Sequence, residues 1–508
     1  MIDSCYHKAK LNTVVSLIGQ FVTLICGLIV PSLMINAFGS EVYGATASIA
    51  QFLAYITLIE GGIGGVARAA LYGPLARNNM QEISVVLAQV KRFFRVIAGA
   101  FVGYVLFLAC SFKFISNIQA LDWLSTFLLV VVLSISTFAQ YYIGVSNSIL
   151  LQAAQKTYIT RLISIAGTIL NTVMIVLLVH WKCNIIVVRL VSSCVFVLQP
   201  VMMWLYVKKN FSLVRSPQTK TDYLKQRWNA LGQHIAWFLH SNTDIAILTV
   251  FADLGSVAVY SVYNMVVSHI QSFAGSFATG MEALFGDMLA KKEEKQLHNS
   301  FNYYETIISL VVIILFTVMA VLIVPFVRLY TAGVDDQNYI EPLFAMLLVI
   351  SSALYCLRLP YHSIVTAAGH FKQTKVAAYG EVLINVSISL ATVSKLGLVG
   401  VVIGTIAATL FRFLFYVFYL SRNIFNRSLT LFLKRQAANI IAFAGGYLIA
   451  SYVISKIVCN DYLQWGVCGV ITTTLVVAIT LCVNAVFYRR EMHAILAKFL
   501  NKNKREMS

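Results

Sequence analysis

Long uncharged apolar runs alternate with short polar breaks along the whole chain. Leu11 to Ala37 and Leu124 to Val145, for example, carry no Lys, Arg, Asp or Glu. About 20 apolar residues suffice to cross the hydrocarbon of a bilayer as a helix. The pattern predicts fourteen spans, near residues 11–36, 43–67, 94–115, 121–146, 158–180, 184–207, 228–251, 255–280, 302–327, 340–367, 374–395, 398–420, 435–457 and 463–487. The expected fold class is therefore an all-α polytopic membrane protein. The first apolar run is too long for the h-region of a signal peptide and lacks a small-residue cleavage site, so the first span is expected to stay in the protein.

Composition agrees. The chain is 59% hydrophobic and 11% charged, against about 25% charged in a soluble domain, and its mean hydropathy is +0.80. A net charge of +18 raises the question of a polyanionic partner, but its distribution answers it. If the N-terminus is cytoplasmic, the inner segments hold 30 Lys and Arg and the outer loops 5, with Arg189, Arg358 and Arg412 inside spans. That asymmetry places both termini in the cytoplasm and accounts for the charge without nucleic acid. The longest outer loop, Arg328 to Glu341, is too short for a folded domain. The nine Cys lie mostly within apolar runs, with no Cys-x-x-Cys spacing, and read as packing residues rather than metal ligands.

The chain also repeats itself. AAQKTYITR (Ala153 to Arg161) returns as AAGHFKQTK (Ala367 to Lys375), an offset of 214 residues. At the same offset Asn171 faces Asn385, Phe211 faces Phe425, and Leu75-Ala76-Arg77 faces Leu289-Ala290-Lys291; Gly39-Ser40 faces Gly255-Ser256 at 216. Spans 1–6 and 7–12 are two copies of one unit. An even number of spans per copy gives both the same topology, so the repeat is a parallel one. The expected divisions are an N-terminal lobe at 1–207, a cytoplasmic linker at 208–227, a C-terminal lobe at 228–424, and two further spans with a basic tail at 425–508.

Fourteen spans arranged as 6+6+2, the turn FGSEVYG (Phe38 to Gly44), the pair Glu60-Gly61 and the stretch NTDIAILTVFADLGSVAVYSVY (Asn242 to Tyr263) resemble the polysaccharide-repeat-unit (O-antigen type) flippases of the MATE-like multidrug/oligosaccharidyl-lipid/polysaccharide superfamily. That family more often carries Asp where this chain has Glu60. The resemblance implies a multi-pass protein of the bacterial inner membrane that moves undecaprenyl-pyrophosphate-linked oligosaccharide to the outer leaflet for lipopolysaccharide or other surface polysaccharide. No bond is made, so no catalytic residue and no cofactor is implied beyond a coupling proton or sodium ion. The implied partners are the lipid-linked oligosaccharide, the bilayer, and the polymerase and glycosyltransferases of the same polysaccharide.

Ionisable groups within spans are the candidate site residues, because each is costly in hydrocarbon. Arg358, two residues before Pro360 in span 10, is either a pyrophosphate site or a member of a structural ion pair. Arg68, at the inner end of the glycine-rich EGGIGGVARAAL, either meets the pyrophosphate or anchors the helix at the interface. Arg161 and Lys375 are repeat-equivalent and open spans 5 and 11, as vestibule cations or interface anchors. Arg189 and Arg412 read as peripheral packing or snorkelling residues. Glu60, Asp244 and Glu381 are the acids noted within spans. Asp244 has His240 four residues earlier on the same helical face, a pair suited either to a coupling ion or to tying helices together. Arg68 and Glu282 are repeat-equivalent and oppositely charged, which makes them candidates for a cytoplasmic gate. Other functions stay open: a cation-coupled drug or metabolite antiporter, a lipid II flippase, and a membrane polysaccharide polymerase or ligase. The short outer loops disfavour the last.

Overall fold

Within hydrocarbon every backbone N–H and C=O must find its partner inside the segment, so apolar runs of this length become helices. The computed structural model describes residues 2–60, 63–214, 227–425, 427–457 and 459–488. These residues form helices α1 (Ile2–Phe38), α2 (Ser40–Ala54), α3 (Thr57–Glu60), α4 (Ile63–Ala76), α5 (Met80–Ser116), α6 (Trp123–Ala139), a π-turn at Gln140–Gly144, α7 (Val145–Ala153), α8 (Thr157–His180) and α9 (Ile185–Asn210). They continue with α10 (Arg227–Phe251), α11 (Leu254–Ala290), α12 (Glu294–Tyr330), α13 (Pro342–Leu357), α14 (Leu359–Ala367), α15 (Phe371–Asn423), α16 (Leu429–Ile454) and α17 (Tyr462–Phe487). The fold is an all-helical polytopic membrane fold.

Among the described residues, eleven helical stretches are long and apolar enough to cross a membrane. Two features separate that number from the fourteen expected. The α15 stretch contains two predicted spans joined through Gly397, whose φ of 51° and ψ of −125° break the helix. Helices α10 and α11, of 25 and 37 residues, are not among the eleven, and several of their side chains lie outside the described set. Much of the expected linker, most of the basic tail and the pair Gly61-Gly62 also fall outside the described residues.

Three predicted spans differ in detail. The second, expected as one helix, is divided into α2, α3 and α4, with the turn at Tyr55. There the Tyr104 hydroxyl donates to the Phe52 carbonyl at 2.8 Å, satisfying an acceptor at the helix end. The third, α5, begins fourteen residues before its predicted start and is 37 residues long, about 55 Å at 1.5 Å per residue. It exceeds the roughly 30 Å hydrocarbon core, so Lys91, Arg92 and Arg95 ride on a helical extension and not on a loop. The fourth is interrupted by the π-turn and extends to Ala153.

The repeat is visible in the backbone. Left-handed φ values occur at Asn78 and Lys292, Gln155 and Gly369, Asn117 and Gly333, and Lys182 and Gly397. These pairs are separated by 214, 214, 216 and 215 residues. Helices α5 and α12 match at both ends at an offset of 214. The π-turn ending at Gly144 corresponds to Arg358, the joint between α13 and α14.

By packing, the chain divides into two compact units, residues 1–261 with 333–337, and residues 262–332 with 338–508. In the first, α1 packs on α8, α5 on α6, and α6 and α8 on α9. Its core includes Phe94, Phe101 and Phe112 of α5, all essentially inaccessible. In the second, α12 packs on α13 and α17, α13 on α15, and α16 on α17.

The motif FGSEVYG acquires a physical account in the first unit. Gly39 has φ 82° and no side chain to cap α2. The Asp336 carboxylate caps it instead, accepting from the Ser40 amide and hydroxyl, each at 2.6 Å. Helix N-termini leave such amides without partners of their own. Five residues on, a Cβ at Gly44 would lie 1.9 Å from the Leu254 carbonyl oxygen. Gly44→Ala is therefore expected to force backbone apart, costing at least the ~1–3 kcal/mol of ordinary overpacking. The check is the thermal midpoint in detergent. Gly65→Ala, with no atom within 4 Å of its Cβ position, is expected to leave that midpoint unchanged.

Candidate functional site

An open cavity of about 540 Å³ in the first unit is lined by both polar and apolar residues of α2–α4, α6, the π-turn, α7 and α9. Glu60 ends α3, and Arg68 stands eight residues further along the chain, on α4; both line the cavity. The Tyr141 hydroxyl donates to Glu60 Oε2 at 3.3 Å. Arg68 Nη1 donates to Gln152 Oε1 at 2.8 Å, and Gln152 Nε2 donates to Ser148 Oγ at 3.0 Å. Gln140 and Gln199 complete the amide lining. A Cβ at Gly64 would sit 3.8 Å from both Arg68 Nη1 and Glu60 Oε1, so this glycine keeps open the space between the cation and the acid. The chamber thus offers one guanidinium, one carboxylate and a set of hydroxyls and amides, donors and acceptors suited to a hydroxylated or anionic solute. Its neutral members escaped the search for charged residues. Their signal was spacing: Gln140 and Tyr141, near the end of the fourth predicted span, and Ser148 and Gln152, just beyond it, recur at helical intervals.

Arg358 is elsewhere. It lies in the second unit at the joint between α13 and α14, 5% exposed. Its Nη1 donates to Glu381 Oε1 at 2.5 Å, and Arg412 Nη1 donates to Glu381 Oε2. Arg412 Nε and Nη2 also donate to the Tyr416 hydroxyl at 3.2 and 3.0 Å, while the Arg358 guanidinium lies 4.8 Å from the centre of the Tyr355 ring. The fully buried Glu381 thereby joins α13/α14 to both halves of α15. Arg412, expected to pack peripherally or snorkel, is a member of this buried triad.

A second such cluster was not foreseen. Glu305 of α12, 1% exposed, forms ion pairs with Arg427 and Arg435 at 2.8 and 2.5 Å and accepts from the Tyr361 hydroxyl. Glu305 lay within a predicted span, but its partners were counted among the interfacial basic residues. The cluster ties α16, outside the repeat, to α12 and α14.

The remaining candidates are dispersed. Asp244 Oδ2 accepts from the Tyr260 hydroxyl at 2.9 Å in a buried setting; the side chain of His240 lies outside the described residues. Arg161 and Lys375 are exposed at the starts of α8 and α15 and do not line the cavity. Arg189 Nη2 donates to Thr46 Oγ1 at 3.0 Å. Of the two gate candidates, Arg68 belongs to the first unit and Glu282 to the second, where Glu282 Oε1 is 3.9 Å from His362 Nδ1.

Residues 233–391 match the MatE family. The whole fold is similar to solved membrane transporters. A structure described as lipid II flippase MurJ in an inward closed conformation superposes with a TM-score of 0.68 at 16% identity, covering 94% of this chain and 99% of its own. An inward-facing multidrug resistance MATE family transporter of the MOP superfamily gives 0.61 at 15% identity, covering 79% and 94%. The MATE multidrug transporter DinF-BH gives 0.60 at 15%, covering 82% and 96%. No curated protein sequence matches the chain.

Proposed function

We propose that this protein is a flippase that carries undecaprenyl-pyrophosphate-linked oligosaccharide repeat units from the cytoplasmic to the outer leaflet by alternating access, for surface polysaccharide such as O-antigen, with both termini in the cytoplasm. The observation that carries this reading is the chamber around Arg68 and Glu60, on a fold that a lipid II flippase shares over 94% of the chain. The multidrug transporters leave about a fifth of the chain uncovered, and the chain has two spans beyond its repeat. The lining is rich in amides and hydroxyls, which suits sugar better than a lipophilic cation. A pyrophosphate carrying two or three negative charges moves outward down an inside-negative potential, worth about 5–7 kcal/mol per 100 mV. A coupling proton or sodium ion then serves to reset the empty carrier.

The test is deletion of the gene followed by analysis of lipid-linked saccharides. The expected result is a complete repeat unit stranded on the cytoplasmic leaflet, with loss of surface polysaccharide and normal export of the cell-wall precursor. Stranded lipid II would assign the chain to that substrate instead, as its likeness to MurJ allows. Normal levels of both lipids with new drug sensitivity would make it an antiporter.

A further inference from the structure

Two cysteines far from the cavity stand together. Cys459 lies in the connection between α16 and α17, and Cys468 lies in the second turn of α17; their Sγ atoms are 3.0 Å apart. That is about 1 Å beyond the covalent S–S length of about 2.03–2.05 Å. The surroundings hold the pair in place. Asp461 caps α17 by accepting from the Gln464 amide at 2.7 Å, and the Gln464 side chain accepts from the Asn460 amide at 2.8 Å. The Trp465 indole donates to the Leu322 carbonyl of α12 at 3.2 Å. Cys468 is fully buried in an apolar cluster with Leu322, Ala450, Ile454 and Val476, whereas Cys459 is half-buried.

We infer that Cys459 and Cys468 form a disulfide in the membrane-inserted protein. The inference rests on the orientation drawn from the charge distribution, which puts the α16–α17 connection on the outer, oxidising side. Cys459 is the sulfur that solvent reaches. Its thiolate attacks the disulfide of an envelope dithiol oxidant, forming a mixed disulfide and releasing one sulfur of the oxidant. The Cys468 thiolate then displaces the second sulfur. Two electrons and two protons pass from the cysteine pair to the oxidant, which leaves as a dithiol. With one sulfur inside an apolar cluster, the bond is screened from reductants. It closes the hairpin between the two helices outside the repeat and fixes the outer end of α17 beside α12.

The test uses the full chain in intact cells. Free thiols are blocked with N-ethylmaleimide under acid quench. The protein is then denatured and reduced, and newly exposed thiols receive a mass-tagging maleimide. Two tags are expected on the wild-type chain and none on Cys459→Ser or Cys468→Ala. In parallel, a membrane-impermeant sulfonated maleimide is applied to intact cells carrying Cys468→Ala, with the Cys459→Ser/Cys468→Ala double variant as background for Cys183. Labelling of Cys459 from outside, together with an untagged wild type, would overturn the disulfide and leave the orientation standing. Labelling only after permeabilisation would overturn the orientation, and the disulfide with it.

Discussion

Glu381→Gln is expected to be more damaging to the second unit than removal of either of its partners. Glu381 is the carboxylate that Arg358 and Arg412 share, and all three side chains are almost wholly buried. Loss of one partner of a buried ion pair costs about 3–5 kcal/mol, because the other charge is left uncompensated. Arg358→Ala or Arg412→Ala leaves Glu381 the other guanidinium. Glu381→Gln leaves two guanidinium groups facing each other without their counter-charge. The expected order of thermal midpoint and steady-state accumulation is therefore wild type, then either Arg→Ala variant, then Glu381→Gln. Arg358→Glu, which sets two carboxylates side by side, is expected to be at least as severe as Arg358→Ala. Arg358→Met/Glu381→Met/Arg412→Met removes every charge together and is expected to recover much of the lost accumulation, since apolar replacements of a complete buried network are often neutral or stabilising. The same series separates the two readings of Arg358. If Arg358→Ala accumulates normally, keeps its midpoint and yet exports nothing, Arg358 binds the anion and the triad is secondary.

What a linear reading could and could not see follows from how each feature is encoded. The spans were legible because hydrocarbon tolerates little but apolar helix. The repeat was legible because turn positions survive when the residues filling them change: Gln155 and Gly369 both adopt left-handed φ although only one is glycine. The division of α2, α3 and α4 was less legible, because apolar side chains run through the turn at Tyr55 and hydropathy does not register a change of axis. Charged site residues stood out against an 11% charged background, so Glu60, Arg68, Arg358 and Glu381 were all singled out. Their grouping was not accessible, since Arg358 meets Glu381 across 23 residues of sequence and the choice among three acids needs the fold. Arg427 and Arg435 show the opposite failure. Each has the address of an interfacial cation, yet both turn inward onto Glu305.

Arg68→Gln is expected to cut export about tenfold to a hundredfold while leaving the thermal midpoint unchanged. Arg68 is only partly buried, and its neutral partner Gln152 also bonds Ser148, so removing the cation strands no buried counter-charge. What is lost is a charge-assisted hydrogen bond to an anionic substrate, worth about 1.5–3 kcal/mol, and each 1.4 kcal/mol is about a factor of ten. Arg68→Lys keeps the charge but loses the planar fork, so an intermediate defect is expected. Gly64→Leu tests the same chamber by volume instead of charge. Its side chain would enter the space beside Arg68 and Glu60 and is expected to block export in a protein that still folds. Arg161→Gln and Lys375→Gln, exposed and away from the cavity lining, are expected to export at close to the wild-type rate. The measurement is accumulation of lipid-linked oligosaccharide against surface polysaccharide, normalised to protein in the membrane. Full export by both Arg68→Gln and Gly64→Leu would remove the chamber from the substrate path. Defects in Arg161→Gln or Lys375→Gln as large as that in Arg68→Gln would mean that the substrate is steered by the basic inner surface as a whole, and that the guanidinium lining the cavity has no special part in holding it.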